Sequence, residues 1–222
     1  MSILSLRSVR YAYSNKYQIV EALKDVNCAF DQGFIYAVVG KSGSGKSTML
    51  SLMAGLDVPN EGDVFFRGTS TRTLDLDAFR RNDVAMIYQS FRLFPLLTAL
   101  ENVMYAMELH GIRPRDAKKR AAEYIRSVDL TDEVFNRFPS MLSGGEQQRI
   151  AIARALAMDT SLILADEPTG NLDSTTARNI IALLARLAHE HNYCVIVVTH
   201  DMEILDMIDV TFRMRDGILV RE

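Results

Sequence analysis

The sequence of 222 residues has few cysteines, no long hydrophobic run and no large excess of charge of one sign. Its two cysteines, Cys28 and Cys194, are far apart and lie in apolar, strand-like runs. We therefore expect neither a disulfide framework nor a metal site, and predict two small core side chains. The longest apolar stretches, at 162–165 and 195–198, are far shorter than the ~20 residues that a membrane-spanning helix needs. No segment is predicted to cross a bilayer.

The net charge of −3 gives no basic field of the kind that usually accompanies nucleic-acid binding, so no nucleic-acid partner is expected. The start of the chain lacks the charged segment, apolar run and cleavage site of a signal peptide, which favours a cytosolic protein. Neither internal repeats nor low-complexity linkers are found, and 48% of the residues are hydrophobic, enough for a sizeable core. Residues 1–222 are predicted to form one domain with two lobes.

Two kinds of strand pattern predict an α/β fold. Residues 3–13, 22–30 and 64–66 alternate apolar and polar side chains, as half-buried strands of an antiparallel edge do. Continuous aliphatic runs are typical of parallel strands buried on both faces, and four occur: Ile35–Val39, Val84–Tyr88, Leu162–Asp166 and Cys194–Thr199. A closing hairpin is predicted at 210–214 and 218–220, around Asp216-Gly217.

Between these strands, residues 90–159 have a helical pattern. Ala117, Ala121, Ile125 and Val128 recur at helical spacing behind Pro114, which is typical of a first helical turn. We therefore predict a helical subdomain at 90–159, inserted into a core formed by 1–89 and 160–222.

A glycine-rich loop carries the first chemical signal. Residues 40–47 fit the pattern GxxxxGK[ST], directly after a predicted buried strand and before a predicted helix at 48–53. Its backbone N–H groups can point at phosphate oxygens, Lys46 adds a full charge, and the Ser47 hydroxyl is a ligand suited to Mg²⁺. The alternative is a turn that binds nothing, and the loop alone leaves kinases, GTPases, helicases and transport ATPases open. The candidate nucleotide-binding residues are Gly40, Ser42, Gly43, Ser44, Gly45, Lys46, Ser47 and Thr48.

Acidic side chains end the strand at 162–166. Ligands of open α/β sheets bind at such carboxyl ends, so Asp166 is predicted to hold Mg²⁺ and Glu167 to orient or deprotonate a water molecule. His200 follows the next buried strand and is placed on the same rim, where it could touch the γ-phosphate; the alternative is a polar residue that only marks the end of the strand. The alternative for Asp166 and Glu167 is a polar strand end leading into a turn at Pro168.

A second turn has two local interpretations. Ser143 and Glu146 fit a capping box at a helix start. That interpretation does not explain Gly144 and Gly145, which cost conformational entropy in a first turn and suggest close approach by another group. A phosphate is the candidate, because the turn offers unpaired N–H groups and a positive helix dipole.

Taken in order, these motifs resemble the nucleotide-binding domain of ABC transporters over nearly the whole chain. They are the phosphate loop, Gln89, the LSGGE turn at 142–146, Asp166-Glu167, Asn171-Leu172-Asp173 and His200. The resemblance implies a P-loop NTPase fold and an ATPase that hydrolyses MgATP as a head-to-tail homodimer.

The resemblance also implies roles for particular residues. Ser143, Gly144, Gly145 and Glu146 would complete the partner's site, and Asp173 would reach across the dimer. Gln89 would link the γ-phosphate and Mg²⁺ to the helical lobe. Tyr13 matches the residue that stacks on adenine, although Tyr11 is an alternative.

Within the family, the chain resembles the lipoprotein-release, macrolide-export and antimicrobial-peptide-resistance group (LolD, MacB and BceA types), with the cell-division protein FtsE close by. This resemblance implies a peripheral subunit on the cytoplasmic face of the inner or plasma membrane, with an integral membrane permease docked near 89–96. Core burial is an equal alternative for each apolar side chain there, namely Phe91, Leu93, Phe94 and Leu96. Two other functions stay open: transmembrane signalling, such as activation of a cell-wall hydrolase, and a soluble ABC ATPase that acts on nucleic acid.

Overall fold

The computed structural model describes residues 2–14 and 18–222, and within these ranges it contains ten strands and six α-helices. The strands are β1 (Leu4–Ser14), β2 (Ile19–Phe30), β3 (Ile35–Val39), β4 (Glu61–Phe66), β5 (Thr69–Ser70), β6 (Val84–Tyr88), β7 (Leu162–Asp166), β8 (Cys194–Thr199), β9 (Val210–Arg215) and β10 (Ile218–Arg221). The helices are α1 (Lys46–Met53), α2 (Leu76–Asn82), α3 (Ala99–Glu108), α4 (Pro114–Ser127), α5 (Gly144–Leu156) and α6 (Ser174–His191).

The larger sheet has the strand order β10-β9-β3-β8-β7-β6. Its neighbours from β9 to β6 are parallel, and β10 pairs antiparallel with β9. This arrangement confirms the predicted parallel core and the closing hairpin. All carboxyl ends of the parallel strands therefore lie at one edge, where an open α/β sheet binds its ligand.

The smaller sheet has the order β2-β1-β4-β5 and is antiparallel throughout. It matches the predicted antiparallel edge, although β2 and β4 each begin three residues earlier than predicted, at Ile19 and Glu61. The two-residue strand β5 was not predicted, because so short a segment has no periodicity.

Both faces of the larger sheet are buried, which explains the continuous aliphatic runs. On β7, Ile163 and Ala165 belong to a cluster formed with the helices α3 to α6. Leu162 and Leu164 point the other way, into a cluster that includes α1 and the smaller sheet. Cys194 is fully buried in this second cluster, as predicted, whereas Cys28 is only half-buried against it.

Three longer helices, α3, α4 and α5, lie between β6 and β7, which are neighbours in the sheet. α4 begins at Pro114 and buries Ala117, Ala121 and Ile125, as predicted from their spacing. The sequence interpretation missed α2 and α6, although Asp75 and Asp173 cap their first turns. Within the described ranges, no helix is both long enough and apolar enough to span a bilayer.

Candidate functional site

The phosphate loop joins β3 to α1 at the carboxyl edge of the larger sheet. Gly43 and Gly45 have φ values of 76° and 110°, in the left-handed region that favours glycine. A Cβ on Gly45 would lie 2.5 Å from the Ala22 carbonyl oxygen, so the smaller sheet also requires glycine here. No side chain caps α1, which leaves its first N–H groups available to an anion.

The Lys46 side chain lies back along this loop. It is buried, and its Nζ donates to the carbonyl oxygens of Gly40 and Lys41 at 2.7 and 3.0 Å. Burial lowers the pKa of Lys46, and the charges of Glu167 and Asp166 partly oppose that shift. The ammonium group therefore lies between the loop and the acidic end of β7, where phosphate oxygens would complete its coordination.

A cleft of about 460 Å³ lies over the loop. Its lining includes Tyr13, the predicted catalytic residue Glu167 and six of the eight candidate residues of the phosphate loop: Ser42, Gly43, Gly45, Lys46, Ser47 and Thr48. Gly40 and Ser44 are not part of this lining. They face β9, where a Cβ on Gly40 would lie 2.3 Å from the Met214 carbonyl oxygen.

Sequence reasoning missed the contribution of Asp216 and Gly217, which also line the cleft. They form the turn of the closing hairpin. The Gly217 N–H donates to the Ser44 carbonyl oxygen at 3.0 Å, and the Lys24 N–H donates to the Gly217 carbonyl oxygen at 2.8 Å. The turn thus ties the phosphate loop to β2. An Asp-Gly turn was visible in the sequence, but its place beside the loop depends on the strand order.

Tyr11 and Tyr13 occupy different environments. Tyr11 is buried, and its hydroxyl donates to the Asp57 carboxylate, a bond that raises the pKa of Tyr11 to about 12. The Tyr13 ring is 52% exposed in the cleft, with its hydroxyl 3.1 Å from the Thr48 hydroxyl. Tyr13 is thus the tyrosine available to stack on a base.

The two acidic residues at the end of β7 have different surroundings. Asp166 is half-buried, and burial and the neighbouring Glu167 raise its pKa, against the lowering effect of Lys46 and Arg92. Glu167 has a φ of 47°, and its N–H donates to the Val198 carbonyl oxygen at 2.8 Å. Its carboxylate lies 3.0 Å from His200 Nδ1. β7 and β8 therefore bring Glu167 and His200 together at one rim, as expected from the strand ends.

Gln89 lies beside this pair because it follows β6, the neighbour of β7. Its Nε2 donates to Asn171 Oδ1 at 3.3 Å, and Asn171 Nδ2 donates to the Gln89 carbonyl oxygen at 3.0 Å. A Cβ on Gly170 would lie 2.6 Å from Gln89 Nε2, so glycine makes room for the amide. The three predicted residues that follow β6, β7 and β8 (Gln89, Glu167 and His200) thus lie on a common edge.

The signature turn, residues 142–146, forms the predicted capping box at the start of α5. The Ser143 hydroxyl accepts from the Glu146 N–H, and the Glu146 carboxylate accepts from the Ser143 N–H at 2.7 Å. A Cβ on Gly145 would lie 2.7 Å from Thr176 Cγ2. The close approach that we attributed to phosphate alone is therefore also made by α6 of the same chain.

These residues line a second cleft, together with Asn171, Leu172 and Asp173. Asp173 lies at the start of α6, where its carboxylate accepts from the Thr176 N–H at 2.9 Å. Hydrogen bonds from the Thr176 side chain and from its backbone N–H lower the pKa of Asp173. Among the described residues, the two clefts share no lining side chain. One chain thus presents a phosphate loop and a signature turn at separate places.

Comparison with known proteins identifies the family that shares this arrangement. The sequence profile of the family described as "ABC transporter" matches residues 23–170. The chain belongs to the ABC transporter family. The assignment also confirms the predicted fold class, a P-loop NTPase with an antiparallel subdomain and an inserted helical subdomain.

Full-length relatives support the assignment. An uncharacterized ABC transporter ATP-binding protein of Bacillus subtilis, YclH, is 41% identical over 217 residues, which cover 98% of this chain and 95% of the relative. MJ0796 of Methanocaldococcus jannaschii is 41% identical over 226 residues, covering 99% and 96%. A dimeric structure of MJ0796 in a post-hydrolysis state, bound to ADP and Pi, matches with a TM-score of 0.89 at 39% identity and covers 99% of this chain and 97% of that one.

This ABC transporter ATP-binding subunit is therefore an ATPase. In the loop after Gln89, core burial is excluded for Leu96, which is 87% exposed, and for Phe94, which is 42% exposed, whereas Phe91 and Leu93 are half-buried. Next to this loop lies an apolar groove between α2 and α3. Its lining includes Arg80, Tyr88, Arg92, Phe94, Tyr105, Leu109 and Arg154.

Proposed function

We propose that two copies of this ABC subunit bind two MgATP molecules head to tail and that hydrolysis drives a membrane permease. The observation that carries the proposal is the separation of the two clefts on one chain. The phosphate loop in one cleft and the start of α5 in the other have no lining residue in common among the described residues, which favours a site that takes one of them from each of two chains. A two-fold dimer then has two complete sites.

In each site, the phosphate-loop chain supplies most of the reacting groups. Lys46 and the loop amides hold the β- and γ-phosphates, and Tyr13 stacks on adenine. Glu167 orients a water molecule and accepts its proton while the water oxygen attacks the γ-phosphorus, the bond to the β–γ bridging oxygen breaks and ADP leaves. His200, 3.0 Å from the Glu167 carboxylate, orients that base and approaches the γ-phosphate.

The residues near the loop fit a magnesium ion. The Ser47 hydroxyl, the half-buried Asp166 carboxylate and the Gln89 amide are oxygen donors, which is what Mg²⁺ prefers. Burial and, to a smaller extent, the charge of Glu167 raise the pKa of Asp166, and a cation would relieve the repulsion between the two carboxylates. When bound, Mg²⁺ would supply charge neutralisation on the β- and γ-phosphates.

The second chain supplies Ser143, Gly144, Gly145 and Glu146 to the γ-phosphate of its partner, and Asp173 extends across the interface. The exposed segment at 89–96 and its neighbouring groove receive a cytoplasmic segment of the permease, at the cytoplasmic face of the inner or plasma membrane. The motifs favour a permease of the lipoprotein-release, macrolide-export or antimicrobial-peptide-resistance type.

The variant Glu167→Gln tests the dimer and the base together. It keeps the size and hydrogen bonding of the side chain but cannot accept a proton, so we expect turnover to fall by about 10²–10⁴-fold while ATP binding persists. Light scattering after size-exclusion chromatography in MgATP should then show a dimer that disappears without nucleotide.

Two controls sharpen this test. Glu190→Gln, on the exposed end of α6, should leave both turnover and mass unchanged. Adding Lys46→Ala to Glu167→Gln should abolish the ATP-dependent dimer. Brisk hydrolysis by Glu167→Gln would contradict the role of the glutamate, and a monomer in saturating ATP would contradict the shared site.

A further inference from the structure

The loop 91–98, which follows Gln89 and leads into α3, is held in a strained conformation. Phe91 and Arg92 are consecutive non-glycine residues in the left-handed region, with φ values of 57° and 47°. Such conformations persist only where surrounding contacts fix them, and they concentrate at functional sites.

Arg154 of α5 supplies those contacts. Its Nη1 donates to the Arg92 carbonyl oxygen at 2.7 Å and its Nη2 to the Phe91 carbonyl oxygen at 3.1 Å. The guanidinium carbon also lies 5.9 Å from the centre of the Phe94 ring. Burial lowers the pKa of Arg154, so the forked pair of bonds to the main chain offsets a real cost of desolvation.

The second half of the loop is fixed from α3. Asn102 is fully buried, and its Oδ1 accepts from the Phe94 N–H at 2.8 Å. Its Nδ2 lies 3.1 and 3.0 Å from the carbonyl oxygens of Phe94 and Leu97. The loop is thus a preformed unit that exposes Leu96, and it is attached to α5 at one end and to α3 at the other.

The attachment to α5 has a functional consequence, because α5 begins at the signature turn. Arg154 lies ten residues beyond Gly144 on one uninterrupted helix, about 15 Å along its axis. We propose that Arg154 is a positioning residue that carries a shift of the signature turn, when the turn contacts ATP, to the loop 91–98, which overlaps the proposed docking segment at 89–96. The inference rests on the proposed dimer and names the side chain through which nucleotide binding reaches the docking surface.

Hydrogen–deuterium exchange in the Glu167→Gln background tests this link. With native Arg154, MgATP should slow exchange both at the signature turn, 143–149, and in the loop, 91–98. In Arg154→Met, slowing at 143–149 should persist while the slowing at 91–98 is lost. Arg120→Met is a matched control, since it removes a half-buried guanidinium from α4 and should preserve both responses.

If Arg154 had a merely structural role, its substitution would not remove the slowing of exchange at 91–98 while leaving the slowing at 143–149. Parental slowing at 91–98 in Arg154→Met would overturn the proposal. If that variant does not fold, Arg154→Lys decides, because lysine keeps the charge but not the fork: a reduced response in the loop supports the proposal, and a full response overturns it.

Failure of the dimer itself has a different signature. If MgATP slows nothing at 143–149 with native Arg154, the proposed shared site fails. A comparison without nucleotide then still tests the contact between Arg154 and the loop. Faster exchange at 91–98 in Arg154→Met than in Arg120→Met supports this contact, and equal exchange overturns it.

Discussion

At the scale of single residues, solvent exposure distinguishes two residues of the same type. Tyr11 and Tyr13 are two positions apart on β1, yet the Tyr11 hydroxyl donates a hydrogen bond to Asp57, whereas the Tyr13 ring is exposed in the cleft. Stacking needs an accessible ring face, so of these two tyrosines Tyr13 is the one that we expect to stack on adenine.

Removing this ring should weaken ATP binding. Base–aromatic stacking is worth about 1–3 kcal/mol, so we expect Tyr13→Ala to bind ATP about 5- to 150-fold more weakly, as measured by titration with a fluorescent analogue. Tyr13→Phe should bind nearly as the parent does. Tyr11→Phe should lower the melting temperature and leave affinity unchanged, because its lost hydrogen bond is internal. Parental affinity in Tyr13→Ala would exclude the stacking role.

A site residue could be predicted from the sequence where its motif is confined to a few neighbouring positions. The phosphate loop and the Ser143–Glu146 capping box are defined by spacing within a few positions, and both were predictable. The choice between Tyr11 and Tyr13, and the presence of Asp216 in the cleft, depend on which strands are neighbours. No local pattern contains that information.

At the scale of secondary-structure elements, the sequence predicted the parallel strands more completely than it predicted the helices. The aliphatic runs of β3, β6, β7 and β8 reflect burial on both faces, which a continuous pattern indicates directly. The sequence prediction did not include α6, although this helix buries Ala177, Ile180, Ile181 and Leu184 at helical spacing. Helix α2, with only seven residues, offers too few turns to show a period.

The loop 91–98 is the element for which we expect a binding partner, because its Leu96 side chain is exposed. A charge introduced at Leu96 would have to be buried on docking, so Leu96→Glu should reduce the amount of subunit bound to its native membranes by about tenfold or more. ATP hydrolysis by the isolated subunit should not change, since Leu96 lines neither cleft.

Val220→Glu provides the matched control. Val220 is also an exposed aliphatic residue, at 58%, but it lies on the edge strand β10. That substitution should leave membrane binding intact. Equal loss in both variants would mean that general surface charge, and not the loop, controls the association.

At the scale of the whole molecule, the shared sites can be tested by complementation. Lys46→Ala disables every phosphate loop in its homodimer, and Ser143→Arg obstructs every signature turn. When the two inactive variants are mixed in equal amounts, each heterodimer regains one intact site. Random pairing predicts recovery of about one quarter of parental activity, read from phosphate release.

The same mixture also tests the alternative, in which each chain forms a complete site by itself. If one chain built a complete site by itself, mixing would restore nothing. The double variant Lys46→Ala/Ser143→Arg mixed with inactive Lys46→Ala is the control, because none of its pairings contains an intact phosphate loop.

The bond from the Gly217 N–H to the Ser44 carbonyl oxygen links the hairpin of β9 and β10 to a loop made much earlier during synthesis. A ribosome-bound chain that has emerged only as far as α6 therefore lacks one wall of its nucleotide cleft. ATP favours the folded state only where it finds a finished binding surface. We therefore expect ATP to stabilise this subunit only after the last strands have joined the sheet.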